Sequence, residues 1–169
     1  MADYSKPQPN YEPIDTLFRH NLWANTRLFE QCAGLSDAQL DASIVGAFGS
    51  IRDTLHHIAN SEYGYWYRIM TGHSCRRPEG LPPPTLEGLK ESIRLSGEGF
   101  IAIAPKILAQ DTVIMDWQGA PRTVPCTVLM TQAITHATEH RAQILATLTQ
   151  FGIQTPDLDG WTYFDEREK

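Results

Sequence analysis

The chain has little cysteine: three in 169 residues, Cys32, Cys75 and Cys126. An odd number so widely spread fits neither a disulfide framework nor a Cys-based zinc site. It also lacks long hydrophobic runs. Phe100 to Ala104 is the longest, far short of the roughly 20 residues that span a bilayer. A basic balance is missing too: 14 Lys and Arg stand against 20 Asp and Glu, a net charge of −6. That argues against wrapping nucleic acid or lying on anionic lipid. The first residues have neither the basic start nor the apolar stretch of a secretion signal, and the expectation is a cytoplasmic protein. A hydrophobic content of 41% is that of an ordinary globular chain and too high for a disordered one.

Residues 1–11 contain Pro7 and Pro9 without periodicity and read as an extended arm. Pro13 suits a first helical position, where its missing N–H is not needed. Ile14, Leu17, Phe18, Leu22, Leu28 and Phe29 then recur at helical intervals up to Gly34. Ser36 and Gln39 form a capping box for a short helical turn. Ser50 and Asp53 open a second long helix that ends at Gly72, and the proline-rich stretch from His73 to Pro84 reads as a crossover loop. Thr85 caps a third helix expected to reach about Gln110, kinked near Pro105. Residues 112–124 switch to strand-like character around Gln118-Gly119-Ala120-Pro121, a hairpin with that tetrapeptide as its turn. A fourth long helix is expected over 125–151 with Pro125 at its first position, stopped by Gly152. The expected fold is all-α: an up-and-down four-helix bundle with a long crossover between helices 2 and 3 and a small β-hairpin before helix 4. Residues 12–152 form its single domain, and residues 153–169 a tail that packs on it through Trp161, Tyr163 and Phe164.

The chemistry lies on the fourth helix. His136 and His140 fall within its apolar and small stripe of Leu129, Ala133, Ala137, Ile144 and Leu148. An i,i+4 pair is rotated by about 40° and separated by about 6 Å along the axis, so both imidazoles can meet one ion. Two inward rings otherwise need hydrogen-bond partners in the core. Periodicity leaves both readings open. A third ligand has to come from another helix, and the second offers His56 and His57. His57 shares its side with Asp53, Ser61, Gly64 and Arg68, a polar wall that lines a pocket or faces solvent.

The segment Phe48-Gly49-Ser50-Ile51-Arg52-Asp53-Thr54-Leu55-His56-His57-Ile58, followed by Glu62 and Trp66, resembles the second-helix signature of the DinB family. Asn21-Leu22-Trp23-Ala24-Asn25 is similar to that family's Trp-Ala-Asn element, and His136 to Ile144 with Phe151-Gly152 to its fourth-helix motif. The resemblance implies a four-helix bundle and a divalent metal, nickel or zinc, whose three histidines match His57, His136 and His140. It further implies a homodimer and a metal-dependent transferase or hydrolase, such as a thiol-dependent S-transferase using a low-molecular-weight thiol on a small molecule. A non-catalytic metal-binding or protein-interaction bundle is the alternative. No catalytic residue follows from the pattern. Glu62, Glu139 and Arg141 are the polar residues nearest the ligand positions. Glu62 reads as pocket lining or half of an interhelical ion pair, Glu139 as an exposed carboxylate, and Arg141 as a binder of substrate carboxylate or part of a salt bridge. His20 reads as a packed or hydrogen-bonded histidine and the cysteines as packing residues.

Overall fold

The computed structural model describes residues 12–75 and 83–168. Among them are six α-helices and one two-stranded antiparallel hairpin, in the order α1 (Pro13–Ala33), α2 (Asp37–Leu40), α3 (Ile51–Thr71), α4 (Leu86–Ile103), a 3-10 turn (Ala104–Lys106), β1 (Thr112–Trp117), β2 (Ala120–Pro125), α5 (Cys126–Gln150) and α6 (Gly160–Arg167). No helix among the described residues is long and apolar enough to cross a membrane. The expected arm at residues 1–11 lies outside the described residues, as do residues 76–82 of the crossover.

Local chemistry explains most of the boundaries. The Ser36 and Ser50 side chains each accept from the backbone N–H of the residue three ahead, and Gln39 and Asp53 return the bond, so both capping boxes form. α3 closes on Gly72 in the left-handed region, at φ 73°, a conformation that costs glycine least. The turn Gln118-Gly119 has positive φ at both positions, 56° and 85°, which matches the twist of a tight hairpin. Ala120 and Pro121 therefore belong to β2 and not to the turn. Pro121 pairs with Asp116, tolerable in a ladder where every strand is an edge.

Three expectations are corrected. The third long helix ends at Ile103, not near Gln110, because Pro105 has no N–H to continue it and the chain tightens into the 3-10 turn. Pro125 is the N-cap of α5 and not its first residue. The tail contains α6, capped by the Asp159 side chain accepting from the Thr162 N–H. Of its aromatics Tyr163 is buried, whereas Trp161 and Phe164 are exposed.

The four long helices pack α1 on α4 and α5, and α3 on α4 and α5. Phe18 stacks on Phe100 at 4.8 Å and Leu22 lies against Gly97, so α1 and α4 run antiparallel. Arg52 and Leu55 share a crevice with Leu86 and Leu89, Glu62 bonds Ser96, and Trp66 lies on Gly99, so α3 and α4 run parallel. Strict alternation of direction, expected for an up-and-down arrangement, therefore fails at this step. A parallel pair needs a connection as long as the helices themselves, and the crossover from Gly72 to Thr85 supplies it. α3 and α5 are antiparallel neighbours, which sets His57 opposite His136 and Tyr65 near Leu129. The core is continuous through Leu28, Phe29, Leu55, Ile58, Ile93 and Ile144, with a second cluster around Phe18, Phe100 and Met130.

Candidate metal centre

α3 and α5 bring three imidazoles together on their shared seam. His136 Nε2 and His57 Nε2 are 2.9 Å apart. The His57 and His136 rings lie 4.6 Å apart, those of His57 and His140 4.8 Å, and those of His136 and His140 4.4 Å. One donor nitrogen from each residue lies within 4.8 Å of the others. Two nitrogens at about 2.0–2.1 Å from one zinc-like ion are at most about 4.2 Å apart, slightly inside that bound, so small side-chain adjustments would let the three rings hold a single divalent cation. His56 points elsewhere, lining a small crevice with Pro84 and Leu86.

Gln143, one turn beyond His140, fixes how that ring presents itself. Gln143 Oε1 accepts from the Phe48 backbone N–H at 3.2 Å, and the same oxygen lies 2.8 Å from His140 Nδ1. A backbone N–H only donates, so the atom facing it is the amide oxygen, and Nδ1 must carry a proton. The lone pair of His140 is then on Nε2. Oriented histidine ligands generally have such an outer partner. Phe48, on the loop before α3, stacks on the His57 ring at 4.1 Å and 11° and meets His140 edge-on at 5.2 Å. Tyr65 meets His136 edge-on at 6.2 Å from the other side.

These walls tune the imidazoles. Burial, and then the charge His140 and His57 would carry, hold His136 down to about 4. Burial and His140 lower His57 in the same direction. Both rings are thus neutral at pH 7, the state a metal ligand requires.

The neighbouring polar residues are not part of the cluster. Glu139 is exposed. Glu62 is 1% exposed and accepts from Asn21 Nδ2 and Asn25 Nδ2 at Oε2 and from the Ser96 hydroxyl at Oε1, each at 2.8 Å. Arg141 donates from Nη1 to Asn21 Oδ1 at 2.8 Å and Asn25 Oδ1 at 2.7 Å, and from Nη2 to Thr138 Oγ1. The two asparagine amides therefore bridge carboxylate to guanidinium inside the core. Glu62 and Arg141 are both buried with their polar atoms engaged in this network, the interhelical pairing of the two readings given for each. Burial raises the Glu62 carboxyl, and burial lowers Arg141 to about 10 against the opposing pull of Glu62.

His20 Nε2 meets the Leu158 carbonyl at 2.9 Å, the hydrogen-bonded role expected of it. Cys32 and Cys126 are buried, with the Cys32 thiol pushed up to about 12 by burial, whereas Cys75 is exposed and does not pack. Gln143 and Phe48 are the contributors the sequence reading gave no role. The i,i+3 spacing of Gln143 from His140 was the available signal. A groove of about 510 Å³ between α1 and α6, walled by Trp23, Arg27 and Tyr163, contains none of the three histidines.

The sequence profile of the DinB family matches residues 7–169. Among solved structures, a DinB-like protein from Bacillus subtilis superposes with a TM-score of 0.60 at 15% identity, covering 85% of this chain and 97% of that one. A DinB-like protein from Bacillus cereus superposes with a TM-score of 0.58 at 18% identity, covering 88% and 99%. At those identities the likeness speaks for the fold. No functionally curated protein matches the chain.

Proposed function

Because this chain belongs to the DinB family, we propose that it is a metal-dependent enzyme in which His57, His136 and His140 hold one divalent cation, nickel or zinc, beside a small-molecule substrate. The convergence of three donor nitrogens from two helices within 4.8 Å supports this reading above any other observation. In the same reading the four long helices form one four-helix bundle, with the centre on its α3–α5 seam.

Three imidazoles leave coordination positions open, and such an ion, when bound, polarises a carbonyl, acidifies a bound water or stabilises a thiolate. This chain's residues prepare the place. Gln143 keeps the His140 proton on Nδ1 and so turns Nε2 inward. Phe48 shields one side of the cluster from water. Depressed His57 and His136 basicity keeps both rings unprotonated at neutral pH. Transfer of a low-molecular-weight thiol to a small electrophile is the reaction class that the family resemblance favours, with metal-assisted hydrolysis next. The reading also carries a cytoplasmic homodimer, which sedimentation of the purified protein checks.

One observation favours a second reading, a non-catalytic metal-binding bundle. Among the described residues no carboxylate joins the three histidines, so no general base is at hand. Elemental analysis of protein purified without a histidine tag tests the shared premise. About one equivalent of nickel or zinc is expected, lost in His136→Ala; metal in neither protein overturns both readings. A panel of thiols and electrophiles then separates them: metal-dependent turnover is the enzyme's signature, and its absence across the panel leaves the passive site.

A further inference from the structure

On α5 the half-buried His136 is followed, towards the start of the helix, by exposed Gln132 and Val128, each one turn further along a face that winds by about 40° per step. Towards the hairpin that face opens into a groove of about 450 Å³, walled by Tyr65, Met115, Val124, Val128 and Gln132. Leu129 forms its floor, backed by buried Val113 and Cys126. Small-molecule sites typically have volumes of about 300–1,000 Å³ and mostly apolar walls with a few polar groups.

Tyr65 joins this groove to the candidate centre, since the ring that lines the groove also meets His136 edge-on. The opposite side of the cluster carries Phe48, itself 52% exposed. Phe48 is stacked on His57 and edge-on to His140 there, and its loop is tied down through Gln143. Past Tyr65, along α5 towards the hairpin, the cluster adjoins a groove that has Val128 in its wall. Val128 is 51% exposed, and apolar surface of this kind gains free energy only when something apolar covers it.

We propose that this groove receives the apolar body of a small-molecule ligand whose soft donor end, such as a thiol, lies at the three-histidine centre. The inference rests on the metal reading above. It adds that the ligand is amphiphilic, and it assigns Tyr65, Val124, Val128 and Gln132 to selecting it.

Calorimetric titration of nickel-loaded protein with ethanethiol, propanethiol and butanethiol tests the groove. Affinity is expected to rise about threefold to fourfold per added methylene, the gain for burying one CH₂. Val128→Asp removes that chain-length dependence without weakening nickel binding or ethanethiol binding. Gln132→Trp fills the groove from another exposed position and has the same effect, so misfolding of one variant does not decide the outcome. Equal affinity across the three thiols in nickel-loaded wild-type protein overturns the groove and leaves the metal centre standing. A preceding nickel titration that shows no binding overturns both, and is read before any thiol is added.

Discussion

Gln143 Oε1 is shared between the His140 ring and the Phe48 backbone, so one side chain sets a ligand's tautomer and anchors the loop that covers the site. Removing the acceptor in Gln143→Leu frees the His140 proton to move and the loop to lift. Loss of such outer partners typically weakens metal binding about 10–100-fold. Competition with a chelating dye should show that loss, with Gln143→Glu, which keeps the oxygen, recovering most of it. Equal affinity in the leucine variant removes Gln143 from the site. At this scale the sequence was informative where the chemistry is local. The His136–His140 pair is visible as an i,i+4 spacing. The choice between His56 and His57 is not, because a helical wheel puts His57 among Asp53, Ser61 and Gly64. What makes His57 face inward is the approach of α5 and the fold-back of Phe48, contacts 79 and nine positions away in the chain.

Between elements, the glycines of α4 look unfavourable in sequence and are explained by packing. A Cβ on Gly97 would stand 2.6 Å from Leu22 Cδ1, and one on Gly99 2.1 Å from Trp66 Nε1. These two positions let α1 and α3 approach α4 closely. Gly99→Ala gains about 0.5–1 kcal/mol of helix preference, and overpacking costs about 1–3 kcal/mol. A net loss of about 1 kcal/mol is expected in urea unfolding; a gain would show that the indole yields freely. The Glu62–Asn21–Asn25–Arg141 network holds α1, α3 and α5 in register from the inside. Arg141→Met leaves a buried carboxylate without its countercharge, which typically costs about 3–5 kcal/mol. Burial already raises the Glu62 carboxyl, so protonation relieves the variant in acid, and its deficit should be smaller at pH 5 than at pH 8. An equal deficit at both would mean that lost packing dominates, not charge. Capping boxes and the Pro13 start were legible because they are decided within four residues. The parallel course of α3 and α4 was not, since periodicity gives a helix's face but not its direction relative to a neighbour. α6 was missed because eight residues after Pro156 carry too little pattern, although Asp159 with Thr162 is a helix-opening signature.

For the whole molecule, protons and metal compete for the same rings, and the sign of that competition follows from the folded state. Free histidine titrates near 6.5, whereas native His136 is held at about 4. Between those values the unfolded chain binds more protons than the folded one, so folding stability rises with pH across the window and falls as pH drops through it. His57, lowered for the same reason, adds to that slope. Glu62 acts in the opposite sense. Its raised carboxyl makes the native state the better proton binder above the ordinary carboxylate range, so its contribution is greatest in acid and declines as pH rises. The histidine contribution is separable by substitution. In metal-free protein the urea midpoint should fall from pH 7 to pH 5, and His136→Phe should flatten that fall, because a phenylalanine has no proton to gain. Adding nickel or zinc at about 100 times its dissociation constant should raise stability by about 2.7 kcal/mol at pH 7. That increment should shrink towards pH 5, since ligand nitrogens must shed protons to bind. An increment unchanged at pH 5 would exclude imidazole ligation. An unaltered slope in His136→Phe would assign the acid sensitivity of the fold to groups other than His136.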